Sequence, residues 1–229
     1  MKSSILFFLV AFGSVESYAQ TAEEKGSFQI VDRWEKVNVA NFESETKGLT
    51  KIDFVTVKAT GTTGWGSASR VHNRAMRKLK MATALLGGNL VYLKDETLVG
   101  NGLSSLGLPR TQLFGTVYSK PWSDTSAVIK QLKDARDYAI VAKIGILNNQ
   151  AKIHNFKTGM ENIVVDSYFI ENNFVYVNVS RNKGNKKWVH LPEKNENRNV
   201  VRVVGVVEGG LVLAYKDGTS VYNIRVVKR

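Results

Sequence analysis

The chain has 229 residues, 43% of them hydrophobic, and a formal net charge of +12. It contains no cysteine, which excludes disulfides, thiolate metal sites and a lipid attached through an N-terminal cysteine. Stability must come from an apolar core, and the basic balance suits either anionic partners or a well-solvated surface.

The N-terminus has the three zones of a secretory signal: Lys2, an apolar run at 5–12, and small residues at Ser17 and Ala19 flanking Tyr18. Cleavage is expected after Ala19, so residues 1–19 form a signal peptide and the mature protein is periplasmic or secreted. The run is too short to span a bilayer. No later stretch is long and apolar enough, so no transmembrane segment is expected.

Two units are expected beyond the signal. The first, at about 26–121, is α+β. Apolar residues around Trp34 mark one or two short strands at 28–39, and Ile52, Phe54, Val55 and Val57 mark another at 50–59. A helix follows, capped by Ser67 or Ser69. Its apolar stripe is Val71, Ala75, Leu79, Ala82 and Leu86. Arg70, Arg74, Arg77 and Lys78 are read as a positive ridge on the opposite side. Gly87-Gly88 ends the helix through a left-handed cap. Strands at 89–98 and 113–119 flank a loop at 100–107. The order is strand-helix-strand-strand, with one helix on a small sheet.

Residues 122–137 read as a linker with a short helix. The second unit, 138–229, is all-β. Turn signals at Asn148-Asn149, Asn172-Asn173, Glu208-Gly209-Gly210 and Asp217-Gly218 separate about eight short strands. Those strands are expected at 138–147, 151–156, 162–170, 174–180, 187–191, 200–207, 211–215 and 220–227. Consecutive hairpins imply an antiparallel meander that closes into a small barrel or folds into a sandwich.

Three short stretches carry a family resemblance. They are Asn73-Arg74-Ala75-Met76-Arg77-Lys78-Leu79, Gly87-Gly88-Asn89-Leu90-Val91 and Gly115-Thr116-Val117-Tyr118. On these, residues 54–119 resemble small bacterial envelope modules of the Rcs stress-sensor lipoprotein type. The resemblance implies a fold rather than an activity.

Catalytic patterns are scarce. His72, His154 and His190 are far apart in sequence, so no metal site is expected, and no cofactor. There is no Gly-x-Ser-x-Gly elbow. The stretch Gly61-Thr62-Thr63-Gly64-Trp65-Gly66-Ser67 lacks the lysine of a nucleotide loop. Asp95 and Glu96 are neighbours on a strand and point to opposite faces. Two basic surfaces are candidate contacts instead. The helix ridge of Arg70, Arg74, Arg77 and Lys78 suits an anion. Arg181, Lys183, Lys186, Lys187 and Trp188 combine charge with a stacking surface for a glycan or a single strand. The expectation is an exported, non-catalytic binding or interaction protein of the cell envelope. Its partner would be an anionic envelope component or another protein. One alternative is a polyanion-binding protein using the helix face for acidic glycan, lipopolysaccharide or, least favoured, nucleic acid. The other is an enzyme with an unfamiliar site.

Overall fold

A computed structural model describes residues 31–61, 67–99, 108–120, 124–147, 154–156, 161–181 and 200–229. The expected signal peptide, the loop at 100–107, the Asn148-Asn149 turn and the strand at 187–191 lie outside the described residues. The segment expected to open with strands holds a 3₁₀ turn, Val31–Lys36, and only then strand β1, Asn38–Ala40. Strand β2 is Thr50–Thr60, β3 is Leu90–Val99 and β4 is Arg110–Ser119. They form one sheet in the order β1-β3-β4-β2, in which β1 runs parallel to β3 and the other neighbours are antiparallel.

Helix α1, Ala68–Leu85, packs on this sheet. Ser67 starts it: the Arg70 N–H donates to Ser67 Oγ at 3.2 Å, which satisfies one of the orphan donors of the first turn. Its end is a Schellman motif. The Gly87 N–H donates to Ala84 O at 2.8 Å and the Gly88 N–H to Thr83 O at 2.9 Å. Gly87 takes a φ of 70°, where a Cβ is costly. The alternation of β2 turns Val55, Val57 and Ala59 inward to meet Val71, Ala75 and Leu79 of the helix.

The second sheet begins after helix α2, Ser126–Asp134. Its strands are β5 (Asp137–Ile146), β6 (His154–Phe156), β7 (Asn162–Glu171), β8 (Phe174–Arg181), β9 (Val200–Val207), β10 (Gly210–Asp217) and β11 (Ser220–Lys228). All described pairings within it are antiparallel, as a meander requires. Asn172 and Asn173, at φ of 51° and 61°, make the β7–β8 turn. The expected barrel is corrected. The strands form one seven-stranded sheet in the order β11-β10-β9-β8-β7-β5-β6, with β6 as its outer strand. A further β11–β5 pairing curls the sheet around its core. However, the β5–β7 and β8–β9 seams are each only three residue pairs long, unlike the continuous ladders of a regular barrel. Val128 and Leu132 of α2 are buried in the concave core with Tyr138, Ile163, Leu213 and Ile224.

The outer face of the second sheet closes over α1. Ile146 and Val221 are buried in the same cluster as Val71, Ala75 and Leu79, each contributing about 2 kcal/mol of burial. The second half of α1 is consequently buried nearly all round, from Met81 to Leu86. Asn223 of β11 donates through Nδ2 to Leu85 O at 3.2 Å, so a side chain of one sheet caps the helix carried by the other. Replacing Asn223 with alanine is expected to cost about 1–3 kcal/mol, because a buried carbonyl loses its partner. Urea unfolding midpoints measure this; a midpoint equal to that of the wild type contradicts it.

Candidate functional site

Of the basic ridge expected on α1, Arg70, Arg74 and Arg77 share one face of the helix, and Lys78 does not join them. Arg74 donates through Nη2 to Thr60 O at 3.2 Å. The Arg77 guanidinium lies 5.1 Å from the centre of the Trp34 ring. Lys78 is buried at 1% exposure. At 100° per residue it lies only about 20° from Val71, so it belongs to the apolar stripe and not to the opposite face. Arg70 alone is exposed without such an internal contact among the described residues. Of the second basic cluster, Arg181 closes β8, while Lys183, Lys186, Lys187 and Trp188 lie outside the described residues.

A different group of side chains converges where the two sheets meet. Arg202 on β9 stands directly across from Tyr176 on β8, and Tyr176 across from Phe169 on β7. Directly opposed residues share a face, so these three form one row on the outside of the second sheet. Phe169 and Tyr176 stack with centroids 5.1 Å apart and planes at 10°. The Arg202 guanidinium sits 5.3 Å over the Phe174 ring. The end of α1 lies above it, since a Cβ on Gly87 would come within 3.4 Å of Arg202 Nη2. From β10, Lys216 Nζ reaches the edge of the first sheet. It meets Asp53 Oδ1 at 2.6 Å and Phe54 O at 2.8 Å, and lies 3.7 Å from the centre of the Phe54 ring.

The charges here are tuned by burial. Arg202 is buried, and its Nη1 has no hydrogen-bond partner among the described residues. Desolvation pulls its pKa down to about 10, and the nearby Tyr176 and Asp53 pull it back up. It stays cationic at neutral pH. Burial raises the Tyr176 hydroxyl, with Glu171 and Asp53 adding to the rise and Arg202 opposing it, so the phenol stays neutral. The rim is apolar and open. Phe54 is 61% exposed, and Phe169 is exposed where it stacks on Tyr176, whereas Tyr168 and Ile170, across from Val177 and Val175, belong to the other face of the sheet. Stacking faces next to cations suit recognition.

Two signals for this seam were present in the sequence. Phe54 and Val55 are adjacent apolar residues on one strand, so one of them had to face outward. Arg202 is a lone charge inside Val200-Val201-Arg202-Val203-Val204, and a charge in such a run needs an unusual environment. The structure also brings His72 of α1 to Glu96 of β3, with Nδ1 and Oε1 at 2.6 Å. No group of metal-ligating residues occurs among the described residues, and none of their helices is long and apolar enough to cross a membrane. No protein-family model, curated protein or solved structure matches the chain.

Proposed function

We propose that the chain is an exported, non-catalytic binding protein of the bacterial cell envelope, and that the seam between its sheets is the contact surface. The exposed rings of Phe54 and Phe169 beside Lys216, Asp53, Tyr176 and Arg202 carry the reading. Exposed aromatic rings beside cations suit an interaction surface. The signal-like N-terminus and the resemblance of residues 54–119 to envelope modules support the location.

The test uses the full chain in cells. Photoreactive phenylalanine analogues at positions 54 and 169 are expected to crosslink an envelope component, whereas analogues at Lys130 and Lys133 are not. Phe54→Ser and Phe169→Ser should each weaken that contact about 30-fold, the size of a hot-spot residue. Phe54→Ser should leave stability within about 0.5 kcal/mol, as expected of an exposed position. Fractionation should recover a processed chain beginning at Gln20 outside the cytoplasm. Crosslinks no stronger at 54 and 169 than at the two lysines would overturn the reading.

A further inference from the structure

The backbone of β2 has a free edge whose hydrogen-bonding groups can be assigned one by one. β2 pairs with β4 on one side only and is the outer strand of its sheet. The Gly61 N–H donates to Pro109 O at 2.7 Å, continuing the Thr60↔Arg110 register. In an antiparallel ladder, bonded and non-bonded pairs alternate. The backbone groups of Val55, Val57 and Ala59 therefore face β4, and those of Phe54, Thr56, Lys58 and Thr60 face outward. The contacts agree. The Phe54 N–H donates to Asp53 Oδ1, Phe54 O accepts from Lys216, and Thr60 O accepts from Arg74.

Both ends of the edge are thus occupied by side chains. Between them remain the N–H and C=O of Thr56, the N–H and C=O of Lys58, and the N–H of Thr60. No described residue bonds to these five groups. An exposed row of this kind is a template for one more strand.

We infer that β2 accepts an extended acidic segment of a partner protein as a fifth strand, docked between Lys216 and Arg74. Charge selects the occupant. Lys58 and Arg74 give the window its positive charge, since Lys216 and Asp53 neutralise each other at its far end. A second copy is disfavoured, because antiparallel pairing of β2 with itself brings two such cationic borders together. The inference rests on the binding role proposed above and adds to it the partner's chemistry and mode of attachment.

Hydrogen exchange on the full chain tests it, using a soluble peptide of alternating glutamate and valine and its lysine-for-glutamate twin. In the unliganded protein the amides of Thr56, Lys58 and Thr60 should exchange quickly, and those of Val55, Val57 and Ala59 slowly. The glutamate peptide should slow Thr56, Lys58 and Thr60 at least 10-fold; the lysine peptide should not. Thr56→Pro removes an outward N–H and no ladder bond, so it should abolish the protection. Lys58→Glu, which alters no backbone group, should reverse the preference between the peptides, and it serves if the proline variant fails to fold. Equal protection by both peptides, or none by either, overturns the inference. Crosslinks at 54 and 169 that persist when the peptides fail leave the seam reading standing. Peptide protection without those crosslinks leaves the edge reading alone.

Discussion

Gly210→Ala is expected to destabilise the protein by about 4 kcal/mol, near the upper end for a single substitution. Gly210 opens β10 and pairs with Val207 on one side and Val227 on the other. A Cβ there would stand 1.9 Å from Val226 O and 2.9 Å from Val226 C and Val227 Cα. All three atoms are backbone, so no rotamer change relieves the overlap. The β10–β11 ladder has to move apart, and β11 also carries Val221 and Asn223, which hold α1. The preceding residue supplies the control. Gly209 has a φ of 67° but nothing within 4 Å of a Cβ, so Gly209→Ala carries only the left-handed penalty of about 1 kcal/mol. Urea unfolding of both variants separates the two effects. Equal midpoints would show that the close approach at Gly210 is not what constrains it.

Lys78→Met is expected to flatten the stability of the protein between pH 8 and 9.5, where that of the wild type rises. Burial pulls the Lys78 ammonium down from the ordinary value of 10.5 to about 8. Above the folded value and below the unfolded one, the unfolded chain binds more protons. Wild-type stability therefore rises with pH across that window. The full difference corresponds to about 3 kcal/mol, and below pH 8 it acts as a constant cost. The comparison stops at pH 9.5 because burial raises the Tyr138 and Tyr176 hydroxyls. Those groups lose stability for the fold as the pH climbs past the usual tyrosine range. Methionine keeps the length of the stem without the charge. Parallel pH profiles for variant and wild type would show that Lys78 does not titrate in this window.

Local chemistry was the legible part of this fold. Ser67 and Gly87-Gly88 bracket α1 because capping depends on residues within one turn. Asn172-Asn173 and Asp217-Gly218 sit at hairpins because positive φ favours those residue types. Lys78 was misplaced by its type, although its angular position beside Val71 was already in the sequence. The parallel β1–β3 pairing involves three residues, too few to leave a periodic signal. The departure from a regular barrel depends on how long each seam runs, which hairpin counting does not measure. The seam escaped for a further reason. Arg202, Tyr176, Asp53 and Lys216 come from both sheets, and no local pattern announces a meeting of elements so far apart in the chain. The signs were indirect: an outward Phe54 and a charge inside a valine run.

The contact between Asn223 and Leu85 O spans 138 residues, and that separation sets an order of events. The helix is synthesised early, but the strand that caps it and covers its outer flank comes much later. Until β11 is in place, the apolar flank that meets Ile146 and Val221 stays bare, and closing so long a loop is slow. A chain threaded across a membrane N-terminus first would hold that flank open for the whole passage. The half-assembled intermediate is then the species most prone to aggregate, and the one on which a holding chaperone has a surface to grip.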